Sequence, residues 1–194
     1  MHDTHHHVEK LHQSLKERVE SMTGVKINNC YQCGKCTAGC PLADDMDLKP
    51  SQVLRLLQLD RPQDEDRILS SLAIWLCLTC ETCVTRCPKE VDFPIVMDYL
   101  RSESIRKGLV HKEAKRILAF HRTFLDSVRI TGRLQEVGLV AGYKMRTFDL
   151  LKDVEKAPAM FFKGKLNIFP QLIKGREHIQ KIFENVKKAE EAGK

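Results

Sequence analysis

All eight cysteines of this chain fall in two copies of one motif, C-x2-C-x2-C-x3-C-P. The first copy reads CYQCGKCTAGCP over 30–41, and the second reads CLTCETCVTRCP over 77–88. In this spacing three thiolates on a tight loop bind three irons of one [4Fe-4S] cubane, and the fourth binds the other cluster. The motif therefore predicts two [4Fe-4S] clusters with exchanged ligands. The first cluster is assigned to Cys30, Cys33, Cys36 and Cys87, and the second to Cys77, Cys80, Cys83 and Cys40.

Two structural zinc sites, or a set of ordinary buried cysteines, are the alternatives to iron–sulfur ligation. A tetrahedral zinc ion is usually held by two separated C-x2-C pairs, whereas each motif here runs through three cysteines and closes on a fourth. Pro41 and Pro88 follow the fourth cysteines and turn the chain away from the site. Gly34 and Gly39 permit backbone amides to approach inorganic sulfide. These features favour iron–sulfur clusters.

Nothing in the sequence indicates export, membrane insertion or nucleic-acid binding. No secretory leader pattern opens the chain, and the apolar run over 72–78 around Trp75 is too short to cross a bilayer. We therefore expect a cytoplasmic protein whose cysteines bind metal instead of forming disulfides. The formal net charge is +6, but basic and acidic residues are interspersed, with no aromatic-spaced basic groove. Two clusters of about −2 each would bring that net charge near +2.

Outside the motifs, apolar residues recur at helical spacing and no convincing period-2 strand appears. The predicted fold is all-α: a helical ferredoxin module with two [4Fe-4S] clusters, plus N- and C-terminal helices. We expect an amphipathic helix within 1–24, a bis-[4Fe-4S] domain over 25–108, and a C-terminal helical extension over 109–194 that docks other subunits.

Proline and glycine mark the expected helix ends. Pro50 and Pro94 suit the start of a helix, Gly24 and Gly108 suit its end, and a helical pattern runs over 64–76 after Pro62. Further helical patterns cover 112–130, 133–145 and 176–189.

The sequence offers no site for substrate chemistry. With every cysteine assigned to a cluster, no thiol remains as a nucleophile, and no G-x-G-x-x-G turn is present for a dinucleotide. We therefore predict an electron carrier with no catalytic residue and no cofactor beyond the clusters. Trp75 fits both shielding of the second cluster and core packing. We interpret three basic residues near the motifs as solvated surface charges and not as groups that guide a redox partner: Lys35, Arg86 and Lys89. We interpret the histidines at 2, 5–7 and 12 as part of a terminal tail and not as a metal site.

Longer blocks resemble the C subunit of heterodisulfide reductase, of the cytoplasmic type. Beside the two motifs, the resemblance rests on VDFPIVMDYLRSESIRKG over 91–108 and FFKGKLNIFPQLIKGREHIQKIFE over 161–184, and it covers 25 to about 185. It implies that this protein transfers electrons from a flavoprotein, the A subunit, to the disulfide-cleaving B subunit. It further implies reduction of the coenzyme M–coenzyme B heterodisulfide in methanogenesis, flavin-based electron bifurcation, and a hydrogenase or formate dehydrogenase in the larger complex.

Two other classes of function stay open at this point. The clusters could serve another oxidoreductase, such as a related sulfur-metabolising complex, a succinate or fumarate type enzyme, or a free ferredoxin. Against these, no [2Fe-2S] cysteine set precedes Cys30, and a free ferredoxin is expected to be smaller and acidic. The other class is non-enzymatic, with zinc or a cluster as structure or as a sensor that binds nucleic acid.

Overall fold

A computed structural model describes residues 13–148 and 172–192 of the chain. The elements formed by these residues are all helices, with no strand among them, which confirms the all-α prediction. They divide into two compact units between Ala114 and Lys115. The helices before that boundary are α1 Leu15–Thr23, α2 Lys35–Ala38, α3 Pro50–Leu59, α4 Pro62–Leu69, α5 Ala73–Leu76, α6 Thr82–Thr85 and α7 Phe93–Arg106. The later helices are α8 Ala114–Thr131, α9 Glu136–Thr147 and α10 Arg176–Ala192.

Helix α7 is the centre of the first unit, because α1, α4, α5 and α6 all pack against it. Its residues Val96, Met97 and Leu100 are fully buried and form the middle of the core. The carboxylate of Asp92 caps its start by accepting a hydrogen bond from the Ile95 amide. The helix therefore begins one residue before the predicted Pro94.

Helix α1 is held at both ends by local signals. Ser14 and Glu17 form a capping box at its start, in which each side chain accepts from the other residue's backbone amide. Gly24 ends it in the left-handed conformation at φ 73°, as predicted. The earlier part of the predicted helix lies outside the described residues.

The helical pattern predicted over 64–76 is divided into α4 and α5 in the structure. Pro62 is the first residue of α4 and does not lie in the linker between helices. The pattern breaks at Ser70–Leu72 because Ser71 and the amide of Leu72 donate hydrogen bonds to Asp47, far away in the sequence. The helix at Pro50 begins as predicted, and its Val53 and Leu57 are buried.

Among the described residues of the second unit, helices α8, α9 and α10 correspond to the predicted patterns over 112–130, 133–145 and 176–189. Arg146 on α9 joins α8 by donating hydrogen bonds to Thr123 and Asp126. No helix of the described residues has the length and apolar character needed to span a membrane.

Candidate metal centres

The first cysteine motif forms a folded loop between a 3-10 turn, Ile27–Asn29, and the four-residue helix α2. Gln32 and Gly34 both adopt left-handed backbone conformations, with φ of 62° and 76°. These two reversals fold the motif into a compact loop. A cavity that we call the first hollow is lined by Cys30, Cys33 and Cys36.

The second motif repeats this backbone at the same spacing. Thr79 and Glu81 are left-handed, with φ of 51° and 59°, and the four-residue helix α6 follows. A non-glycine residue in this region costs about 1–2 kcal/mol, so the Glu81 backbone is held against its own preference. The second hollow is lined by Cys77, Cys80 and Cys83.

The fourth cysteine of each motif lies at the hollow of the other motif. Cys87 lines the first hollow and Cys40 lines the second, since α2 packs directly against α6. Cys83 and Phe93 line both hollows, which are therefore neighbours. Each predicted ligand set thus surrounds one hollow, while the ligation itself stays a prediction.

The donor set fits an iron–sulfur cluster. Four thiols around one hollow are what a [4Fe-4S] cubane requires. Within 13–148 and 172–192, no three His, Cys, Asp or Glu side chains come close enough to hold a single metal ion.

The second cysteine of each motif, Cys33 or Cys80, is exposed and has a lowered pKa. For Cys33 the largest cause is a hydrogen bond from the backbone amide of Lys35. For Cys80 it is a hydrogen bond with the hydroxyl of Thr82. A lower pKa favours the thiolate, which is the form that binds iron.

Of three other cysteines, Cys83 is buried and Cys36 and Cys77 are half-buried, and their thiols are correspondingly harder to ionise. Burial raises the pKa of Cys36 and Cys77, and it raises the pKa of Cys83 to about 11. These thiols are neutral at pH 7 without metal, so binding of iron displaces their protons.

Cys30 is fixed by two glutamines that the sequence did not single out. Gln58 on α3 donates a hydrogen bond to the Cys30 carbonyl at 2.5 Å and another to the Ile27 carbonyl at 3.2 Å. The side-chain oxygen of Gln58 accepts a hydrogen bond from the side-chain nitrogen of Gln32 at 3.1 Å. That Gln32 nitrogen also lies 3.5 Å from Cys30 Sγ. The backbone of the first ligand is therefore held by neutral donors.

Cys77 is fixed in the same way, but by a cation. Arg101 on α7 donates hydrogen bonds to the carbonyls of Ile74 and Cys77, at the end of α5. Its third nitrogen pairs with Asp98 at 2.7 Å. Arg101 and Gln58 each follow a fully buried leucine, Leu100 or Leu57. A polar residue beside a core position was the signal in the sequence that could have indicated them.

Asp47 caps the other end of α5 from a distance of 26 residues along the chain. Its carboxylate accepts from the amides of Leu72 and Ala73, at 3.0 and 2.9 Å, and from the Ser71 hydroxyl at 2.7 Å. Burial alone would raise the pKa of Asp47, but these hydrogen bonds outweigh it and leave the pKa lowered. The short helix before Cys77 is thus held at both ends.

Gly39 has a packing reason in addition to the one expected. A Cβ atom there would lie 2.6 Å from Cδ of Arg86, whose side chain covers this glycine. Arg86 and Lys35 line a shallow surface cavity together, beside the first hollow. Lys89 is exposed.

The remaining sequence features have simpler explanations in the structure. Trp75 is buried in the core, as the packing interpretation predicts. The histidine-rich stretch at the start of the sequence lies outside the described residues.

Comparison with known proteins finds a family and several relatives. Residues 26–91 match the family model described as a 4Fe-4S dicluster domain. A similar protein from Methanocaldococcus jannaschii, the iron-sulfur C 2 subunit of CoB–CoM heterodisulfide reductase, is 34% identical over 145 residues, which are 73% of this chain and 75% of that protein.

Two further relatives have related names. The iron-sulfur C subunit of CoB–CoM heterodisulfide reductase from Methanopyrus kandleri is 28% identical over 172 residues, 86% of this chain and 85% of that protein. The C subunit of the H(2):CoB-CoM heterodisulfide,ferredoxin reductase from Methanothermobacter thermautotrophicus is 29% identical over 108 residues, 56% of this chain. The chain spans 57% of the length of that last relative.

Proposed function

The chain belongs to the family of heterodisulfide reductase C subunits, and we propose that it relays electrons inside such a complex through two [4Fe-4S] clusters. One observation carries this proposal: two neighbouring hollows, each surrounded by one predicted set of four cysteines. Neighbouring hollows suit a relay, because an electron must pass from one centre to the next. The dicluster family model over 26–91 supports the same cofactors.

We assign the ligands accordingly, with a fourth ligand exchanged between the motifs. The set for the first cluster is Cys30, Cys33, Cys36 and Cys87, and the set for the second is Cys77, Cys80, Cys83 and Cys40.

Residues of this chain fix the ligand backbone and exclude water from the two hollows. When bound, a [4Fe-4S] cluster supplies one-electron transfer at a potential that its surroundings set. Gln58 and Arg101 fix the backbone of the first cysteine in each motif. Phe93, which is buried, excludes water at both hollows. We assign no substrate site to this chain, so cleavage of the disulfide belongs to another subunit.

The relatives' names supply the wider setting. We propose that the complex also contains a flavoprotein, the A subunit, and the disulfide-cleaving B subunit, reduces the heterodisulfide of coenzymes M and B, and works in the cytoplasm. A reducing compartment keeps thiols available for iron, in agreement with that location. The coupling of hydrogen, heterodisulfide and ferredoxin in one relative's name favours bifurcation and a hydrogenase partner, with formate dehydrogenase as the other candidate donor.

We propose that the C-terminal extension, 109–194, docks the partner subunits. Ile182 and Val186 lie on one face of α10 and are 58% and 52% exposed in the described structure. Changing both to aspartate should leave the iron content unchanged and lower the recovery of partner subunits in a native pull-down. Equal recovery with the wild-type chain would argue against docking through this helix face.

The first experiment is the iron, acid-labile sulfide and zinc content of anaerobically purified chain, with EPR after reduction. About eight irons per chain and two interacting reduced cubanes are expected. A native pull-down should then recover a flavoprotein and a second cysteine-rich subunit.

About two zinc ions per chain without a reducible signal would overturn the relay and leave a structural module. Full iron content without either partner protein would keep the clusters but remove the heterodisulfide reductase assignment.

A further inference from the structure

We propose that Arg101 raises the reduction potential of the second cluster. This inference rests on the proposed function, since it takes the cluster sites at the two hollows as given. Arg101 acts through the ligand backbone and through its charge, so it is a positioning residue.

The guanidinium group is fixed against a ligand of the second site. Two of its nitrogens donate to the carbonyls of Ile74 and Cys77, and Cys77 is the first ligand of that site. The side chain is only 21% exposed. Its positive charge is therefore held beside the second hollow in surroundings where water screens it incompletely.

The first site has a neutral group in the corresponding place. Gln58 lies eight residues after Pro50 on α3, and Arg101 lies seven residues after Pro94 on α7. Both side chains donate a hydrogen bond to the carbonyl of the first cysteine in the preceding motif. The carbonyl of the first cysteine thus accepts from a neutral amide in the first motif and from a cation in the second.

The difference in charge has a direct consequence for reduction. Adding an electron makes a site more negative, so a nearby cation stabilises the reduced form more than the oxidised form. A neutral amide offers only its dipole. An electron that enters the relay is therefore held more firmly at the second site than it would be with glutamine at 101.

Asp98 opposes this effect and serves as an internal check. Its carboxylate pairs with Arg101 at 2.7 Å, but the side chain is 58% exposed, so water screens it more than it screens Arg101. The electrostatic potential that this pair produces at the second hollow is therefore expected to be positive, and removing the Asp98 charge should make it more positive.

The test is Arg101→Gln, which copies the group found at Gln58 and keeps hydrogen-bond donors. An anaerobic redox titration of the full chain, followed by EPR, measures the midpoint potential of each site. We expect a fall of about tenfold in the reduction equilibrium of the second site, equivalent to ~59 mV for one electron. The first site should be unchanged. Loss of one signal in Cys33→Ala or in Cys80→Ala assigns the signals to the sites, because each of these cysteines lines one hollow only.

Three variants separate charge from structure. Arg101→Lys keeps the cation and should restore most of the wild-type potential, and Asp98→Asn should raise the potential of the second site. Arg67→Gln removes an exposed arginine of α4 and should change neither site, because Arg67 lines neither hollow.

An unchanged second potential in Arg101→Gln, at full iron content, would overturn the inference and leave the relay intact. Should that variant lose iron from the second site, Asp98→Asn decides, and an unchanged potential there also overturns the inference. Absence of reducible iron in the wild-type chain is the separate result that removes the proposed function itself.

Discussion

Cys40 and Cys87 each end one motif and lie at the hollow of the other. The proline after each of them directs the following chain away, so neither cysteine can return to its own motif's hollow without rearranging that turn. Under the proposed ligation each hollow is completed only by a residue from the other copy.

Replacing Cys87 by alanine should therefore remove the cluster of the first hollow and spare that of the second. About half of the iron should be lost, because one cubane of the two cannot complete its ligands. Iron analysis and EPR after reduction measure this, and Cys40→Ala is the matched control, which should remove the other signal. Loss of the second-hollow signal in Cys87→Ala would show that the ligands are not exchanged.

At this scale the sequence predicted the thiols but not the groups that hold them. The cysteines follow from a spacing of a few residues. The hydrogen bonds from Gln58 to Cys30 and from Arg101 to Cys77 join residues 28 and 24 positions apart. They depend on how α3 and α7 pack, and local spacing carries no information about that packing.

At the scale of elements, α5 is too short to be stable alone. A four-residue helix has almost no internal hydrogen bonds to offset its nucleation. Asp47 satisfies amides at its start and Arg101 satisfies carbonyls at its end. Two distant side chains therefore hold its ends, burial of Ala73 and Ile74 adds to its stability, and Cys77 follows directly after it.

Asp47→Ala should lower the free energy of unfolding by about 0.5–2 kcal/mol, the usual cost of losing a helix N-cap. The Leu72 amide and the Ser71 hydroxyl lose their acceptor, whereas the Ala73 amide keeps the Ser71 hydroxyl. The second cluster should also be lost sooner than the first in denaturant. Paired measurements of circular dichroism and of the two EPR signals follow both effects. Asp44→Asn, at a fully exposed carboxylate in the same loop region, is the control and should behave as wild type. Equal rates of loss from both sites would contradict the capping role.

Element prediction failed where a long-range contact overrides a local pattern. Residues 64–76 have continuous helical spacing, yet the helix stops at Leu69 because Ser71 and the following amides are bound by Asp47. The helix ends at Gly24 and Gly108 were predictable, since a left-handed glycine is a local signal.

At the scale of the whole first unit, an ion-pair network joins α1, α4 and α7. Arg18 on α1 pairs with Glu65 on α4 and with Glu103 on α7, while Lys107 and Arg106 complete the pairs. Burial would raise the pKa of Glu65 and Glu103, but hydrogen bonds from these cations outweigh it and leave both values lowered.

The network should make stability depend on pH in the acid range. A carboxyl whose pKa is lowered by folding stabilises the native state above its ordinary pKa, here 4.5, and this stability is lost as the pH falls through the folded-state pKa. The free energy of unfolding should therefore fall below pH ~4.5. In Glu65→Gln/Glu103→Gln it should be lower at pH 7 and change less on acidification.

Denaturant unfolding at a series of pH values measures this dependence. Acid also strips iron–sulfur clusters, but that loss is common to both proteins, so the difference between their profiles isolates the network. Parallel profiles for the wild type and the double variant would assign the acid sensitivity to other groups.

The exchange of fourth cysteines has a mechanical consequence. With the proposed ligands, the segment between Cys40 and Cys77 starts and finishes on one inorganic group, and the segment between Cys36 and Cys87 starts and finishes on the other. Cluster binding thus closes the polypeptide into two nested rings. The outer ring contains the whole inner ring, which is the stretch between Cys40 and Cys77. A molecule pulled from its two ends should keep this stretch hidden until iron–sulfur bonds at both clusters have ruptured, and the extension released in single-molecule force spectroscopy when the inner ring opens would report the size of that ring.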